Sequence, residues 1–289
     1  MVLYILGHIL KFESAFLTLP ALVGLLYREK EGIPFLLVAV LCLVLGLFLT
    51  RKRPASSTLY TREGFVTVAL SWIIMSIFGA IPFVLSGDIP SYVDALFETI
   101  SGFTTTGASI LTEVESLSRA SLFWRSFTHW IGGMGVFVFI MAILPLMGGS
   151  TMNLMKAESP GPSVSKLVPH VKDTAKILYG IYIAITLSEI VLLCAFGMPL
   201  FDAVTTSFGT TGTGGFGIKN DSLAGYSPYI QTVTTVFMAL FGVNFSVYYL
   251  ILTGAFSKAL FNEEVRVYFG IMLAAIAVIT WNILPMFGG

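Results

Sequence analysis

The stretch VDALFETISGFTTTGAS, residues 93–109, returns at 201–217 as FDAVTTSFGTTGTGGFG. Each copy starts with an Asp-Ala pair, Asp94-Ala95 and Asp202-Ala203. Each then runs through a short amphipathic stretch, 92–103 or 200–209, into a Thr/Gly run. Threonine and glycine are weak helix formers, so the helix should end there. Neither stretch can cross a bilayer, which needs about 20 apolar residues. Each stands between two segments that can. Irregular backbone at membrane depth survives only inside protein or beside a water-filled cavity. The residues after each short helix are therefore expected to line something wet.

The rest of the chain fits that setting. Of 289 residues, 56% are hydrophobic and 11% charged, against about 25% charged in soluble domains. Segments at 3–27, 33–50, 64–86, 120–147, 174–197 and 228–256 are long and apolar enough to span, and a seventh runs from 266 to 286. This predicts an all-α polytopic membrane protein. Cys42 and Cys194 lie in apolar runs without metal or disulfide spacing and read as small hydrophobes. The zero net charge gives no nucleic-acid footprint. The N-terminal segment lacks a small-residue cleavage site and reads as a retained helix.

Charge placement orients the chain. With both Thr/Gly runs on the outer side, the inner side holds ten of the sixteen basic residues, among them Arg51, Lys52, Lys156, Lys166 and Arg266. The outer side holds Arg28, Lys30, Arg119, Arg125 and Lys219. The positive-inside rule therefore favours loops that open outward. Nine of the sixteen acidic residues fall on the outer side, including Asp88, Asp94, Glu113, Glu115, Asp202 and Asp221. They read either as a cation-focusing vestibule or as ordinary loop charges.

The repeated unit is helix, short helix, Thr/Gly loop, helix. Matching Gly107 to Gly214 requires a one-residue gap, since Gly107 is 13 residues after Asp94 and Gly214 is 12 after Asp202. Such loops can replace an ion's water shell with backbone carbonyls and hydroxyls. Glycine supplies the conformations that turn carbonyls toward an axis, and the short helix directs its negative C-terminal end at a cation.

On these residues the chain resembles the Trk/Ktr/HKT superfamily of potassium transporters, most closely the bacterial TrkH-type subunits. FWRSFTHWIGGMGVFVFIMAILP (123–145) resembles the family's second helix of repeat one, and KAESPGP (156–162) its cytoplasmic linker. GVNFSVYYL (242–250) resembles the second helix of repeat two, and EEVRVY (263–268) the opening of repeat three. The resemblance implies tandem helix–pore-loop–helix repeats: an N-terminal helix pair at 1–50, repeats at 51–147 and 173–257, a linker at 148–172 and the start of a third repeat at 258–289. It implies a selectivity filter built from Thr105, Thr106 and Gly107 in the first loop and Gly212, Thr213 and Gly214 in the second, with Gly215 and Phe216 just beyond. Potassium would be the transported ion, with no other cofactor. The expected partners are the bilayer of the cytoplasmic membrane, a second copy in a homodimer, and a cytosolic nucleotide-binding regulatory subunit. The family carries four loops per chain and this chain two, so it reads as a fragment lacking repeats three and four.

Other patterns compete poorly. GTGGFG (212–217) matches a dinucleotide-binding spacing but lacks the preceding strand, and Asp221 follows too soon. His8, His129 and His170 are far apart and read as packing residues. Gly132, Gly133 and Gly135 read as sites of close helix packing. Glu13 and Glu189 fall within spanning segments and should face the bundle interior. Ser126 and Ser207 have no base in a plausible sequence context, and no cluster of carboxylates, histidines or metal ligands supports a membrane-embedded enzyme. A secondary transporter with a broken-helix site is the alternative; inverted repeats would favour it, whereas these two loops follow helices running the same way.

Overall fold

A computed structural model describes residues 1–52, 61–135, 171–215 and 217–287. All regular elements among them are helical. The helices are α1 (Val2–Tyr27), α2 (Gly32–Thr50), α3 (Thr61–Ser86), α4 (Tyr92–Phe103), α5 (Arg119–Met134), α6 (Val171–Ala195), α7 (Leu200–Thr211), α8 (Pro228–Phe241), α9 (Phe245–Leu252), α10 (Phe256–Leu260) and α11 (Glu263–Ile283), followed by a 3-10 turn at Leu284–Phe287. Among the described residues, five helices are long and apolar enough to cross a membrane, or six if α8 and α9 count as one broken span.

The α1–α2 hairpin is closed by glycines at both ends. Arg28 adopts a left-handed conformation, φ 59°, and ends α1. Beyond it, Gly24 and Gly32 approach until a Cβ on Gly24 would lie 2.6 Å from the Gly32 Cα. At the far end, a Cβ on Gly46 would lie 2.7 Å from the Gly7 carbonyl oxygen. In lipid, where hydrophobic attraction between helices is weak, such backbone approach supplies the packing. The opposite face of α2 stays exposed at Leu36, Leu37, Val40, Val44, Leu47 and Phe48, as a lipid-facing surface requires.

The main core lies where α1, α2, α3, α4 and α5 meet. Trp124 of α5 is fully buried among Phe35, Phe103 and Phe127. Its indole N–H donates to the Gly79 carbonyl at 2.9 Å. Glu13 and Glu189 are both fully buried, on the interior side that their cost in lipid demands. Cys42 is buried and Cys194 partly so; both are free thiols.

The expected span at 228–256 is broken. α8 and α9 meet at 93°. The run is apolar throughout, but Gly242 ends α8, and a Cβ there would collide with the Tyr268 hydroxyl at 2.3 Å. Asn244 then starts α9, its side chain accepting from Ser246 N at 2.9 Å. The expected 120–147 span is described only through Gly135, and the expected linker at 148–172 lies outside the described residues except for its last two, which open α6.

Candidate functional site

The two short helices are one structure built twice. α4 and α7 each have 12 residues, and 108 positions separate Tyr92 from Leu200 and Phe103 from Thr211. The second had been expected to stop at residue 209. Thr210 and Thr211 continue it, and their hydroxyls donate back to the Thr206 and Phe208 carbonyls, at 2.9 and 2.7 Å.

Both helices end in the same hydrogen-bonded turn. Thr105 N donates to Gly102 O at 3.0 Å, and Thr106 N to Ser101 O at 2.9 Å. The equivalents are Thr213 N to Thr210 O at 2.8 Å and Gly214 N to Gly209 O at 3.2 Å. This is a Schellman cap, whose left-handed position is usually glycine. Here threonine occupies it twice, with φ 54° at Thr105 and 53° at Thr213. A β-branched residue in that region is a genuine outlier, and holding it there costs about 1–2 kcal/mol. Strain of this kind, repeated at equivalent positions, points to a functional requirement.

The equivalence continues to the glycines and removes the expected gap. Gly107 has φ 74° and Gly215 has φ 76°. The backbone partner of Gly107 is therefore Gly215, not Gly214, and Gly212 corresponds to Thr104 as the residue closing the helix. Sequence matching aligned glycine with glycine; the chain aligns dihedral with dihedral. Phe216 lies outside the described residues.

Around these turns the surface opens. Thr106, Ala108, Thr213 and Gly215 are exposed, while the helix ends behind them at Gly102, Phe103, Thr210 and Thr211 are buried. The loops also touch: a Cβ on Gly107 would lie 2.0 Å from the Gly214 carbonyl oxygen.

α5 runs between the two loops. Gly132 leaves room for the Phe103 carbonyl and Gly133 for the Thr211 backbone, where added Cβ atoms would stand at 2.4 and 3.0 Å. His129 packs against the second loop, so close that a Cβ on Gly214 would meet its ring at 2.3 Å. One turn earlier, Arg125 Nε donates to Glu98 Oε2 at 2.9 Å, and its Nη1 donates to the Gly217 carbonyl at 2.9 Å. Glu98 Oε1 accepts from the Ser109 hydroxyl at 2.8 Å and from Ile110 N at 2.6 Å. Arg125 had been counted on the outer side, and Glu98 falls among the nine acids assigned there. Both are buried, at 2% exposure, and neutralise each other. No sequence signal linked them, because the pair spans 27 positions and two helices.

The segments beyond the two turns are joined as well. Asn220 Oδ1 accepts from Val114 N at 2.8 Å, its amide donates to Glu113, and its backbone N donates to Glu115 at 3.2 Å. Glu29 caps α5 by accepting from Arg119 N at 2.9 Å, and Ser118 donates to Asp88 at 2.5 Å. The Tyr226 hydroxyl donates to Asp202 at 2.7 Å, and burial, then that bond, raise its pKa. Six of the nine acids expected on the outer side, Glu29, Asp88, Glu98, Glu113, Glu115 and Asp202, thus brace the loops.

A profile of the family described as TrkH, cation transport protein, matches residues 34–286. The Trk system potassium uptake protein TrkH of Salmonella typhimurium is 38% identical over 283 residues, covering 96% of this chain and 58% of that protein. The Trk system potassium uptake protein TrkG of Escherichia coli is 34% identical over 288 residues, covering 98% and 59%. The crystal structure of the potassium transporter TrkH from Vibrio parahaemolyticus superimposes with a TM-score of 0.75 at 33% identity, covering 89% of this chain and 53% of that one. The chain spans a little over half the length of these relatives.

Proposed function

Because the chain belongs to the TrkH family of cation transport proteins, we propose that it forms part of a potassium-selective pore in a Trk-type uptake system of the cytoplasmic membrane. Its work is passage and selection of an ion, with no catalytic chemistry of its own. The observation that carries this reading is the duplicated Schellman turn with a strained threonine at its centre. It ends each helix beside exposed loop residues, Thr106 and Ala108 in one copy and Thr213 and Gly215 in the other, and the negative end of a helix with nearby peptide carbonyls suits a cation that has lost its water. On the backbone equivalence, the proposed filter segments are Thr105-Thr106-Gly107 and Thr213-Gly214-Gly215, with Gly212 closing the second helix. A ring around an ion needs more than two such segments, so the pore is completed by further loops of the same kind. A homodimer and a cytosolic nucleotide-binding regulatory subunit complete the proposed assembly, by family resemblance.

The test is potassium uptake by cells that lack their own uptake systems and express the reading frame containing this chain. Growth at low potassium is expected to return. Protein present in the membrane without growth would remove the main support. Gly107→Ser is expected to lower the preference for potassium over sodium; unchanged preference would take Gly107 out of the filter.

A further inference from the structure

We propose that Arg125 is a positioning residue for ion selection, holding the outward strands of the two Thr/Gly loops at one fixed spacing. The inference rests on the pore reading and adds a determinant outside the filter segments. Its partners sit at equivalent places. Glu98, gripped by Arg125 Nε at 2.9 Å, holds the Ser109 hydroxyl at 2.8 Å and Ile110 N at 2.6 Å. Arg125 Nη1 itself holds the Gly217 carbonyl at 2.9 Å. Ser109 and Gly217 are 108 positions apart, the repeat spacing, and each lies two residues beyond its left-handed glycine.

The guanidinium suits this task because its donors form a rigid planar fork. A lysine carries one point charge on a flexible stem and cannot hold both contacts at fixed geometry. The arrangement is also one-sided. Thr206 occupies the place in α7 that Glu98 occupies in α4, so the second repeat has no acid there to anchor an arginine. The second loop is held from the first repeat. Stability alone is a poor reason for such a group, since a buried ion pair often does no better than well-packed apolar residues. Position is a better one, because selection among cations depends on the number and spacing of the coordinating carbonyls.

The test compares Arg125→Gln, Arg125→Lys and the charge-balanced double variant Glu98→Gln/Arg125→Gln in the full reading frame. Two quantities are read at matched membrane abundance. One is the ratio of potassium to sodium uptake. The other is the distance distribution, by electron paramagnetic resonance, between nitroxides on Thr112→Cys and Asp221→Cys, exposed positions on the two loops, with Cys42 and Cys194 replaced by Ala. The ratio is expected to fall about tenfold and the distribution to broaden in all three variants, with Lys failing to restore either. An unchanged ratio, with or without broadening, overturns the proposal, as does an unchanged distribution. If the single variants do not reach the membrane, the double variant decides. If the unaltered protein moves no potassium, the pore reading fails by itself, and the distance distribution alone decides whether Arg125 spaces the loops.

Discussion

Gly107 and Gly215 share a backbone conformation but not a neighbourhood, and this difference can be measured. Each has φ near 75°. An alanine at either position takes on the left-handed penalty of about 1–2 kcal/mol, offset by about 0.4–1 kcal/mol from the stiffer unfolded chain. At Gly215 nothing lies within 4 Å of the new Cβ, so Gly215→Ala should stay within about 1 kcal/mol of the parent. At Gly107 the Cβ would stand 2.0 Å from the Gly214 carbonyl oxygen. Relief requires the two loops to part by more than about 1 Å, given ordinary carbon–oxygen contacts of about 3.3 Å. Overpacking of this sort adds about 1–3 kcal/mol. Gly107→Ala should therefore lose about 1–3 kcal/mol more than Gly215→Ala. The assay is thermal unfolding in detergent, followed by dye labelling of Cys42, which is fully buried until the fold opens. At about 2–4 °C per kcal/mol, the Gly107→Ala midpoint should lie roughly 2–12 °C below that of Gly215→Ala. Equal shifts would refute the reasoning, because they would mean that the loops do not touch at Gly107.

Three further outcomes are expected. Asn220→Ala leaves the buried Val114 N–H without its acceptor, at about 1–3 kcal/mol; hydrogen exchange at Val114 should quicken, and unchanged protection would contradict the bond. Gly24→Ala drives a Cβ to 2.6 Å from the Gly32 Cα, so the α1–α2 hairpin should lose about 1–3 kcal/mol, read as a lower unfolding midpoint. The folded pKa of Tyr226 is raised by burial and the Asp202 bond. Its contribution is whole below the unfolded tyrosine pKa of about 10, and as pH rises above that the unfolded state ionises first, so stability falls. Tyr226→Phe should remove that alkaline fall and lose about 0.5–1.5 kcal/mol at neutral pH; an identical alkaline limb would show that Tyr226 does not titrate there.

The membrane helices and both short helices are readable from local pattern, because length and hydropathy decide them. α4 matches its expected bounds, 92–103, since Ser91 and the following Thr/Gly run mark both ends. What escapes the sequence depends on partners far along the chain. The apolar run at 228–256 hides a break that arises where Gly242 meets Tyr268. Arg125 reads as an outer charge until the fold sets it beside Glu98 and Gly217. The site itself was half legible. Thr105, Gly107 and Thr213 stand out by residue type as candidates, but only φ angles reveal that Gly215 shares the backbone conformation of Gly107.

Arg125, His129, Gly132 and Gly133 fall at i, i+4, i+7 and i+8 of one helix, so a single face of α5 touches both loops at successive turns. That face acts as a common gauge. Inserting or deleting one residue in α5 would turn everything beyond it by about 100° and carry the mates of both loops away together. The two loops therefore cannot drift independently. A shift of α5 along its axis becomes the same displacement at both, and tolerance to change in one loop is set by the fit of the other.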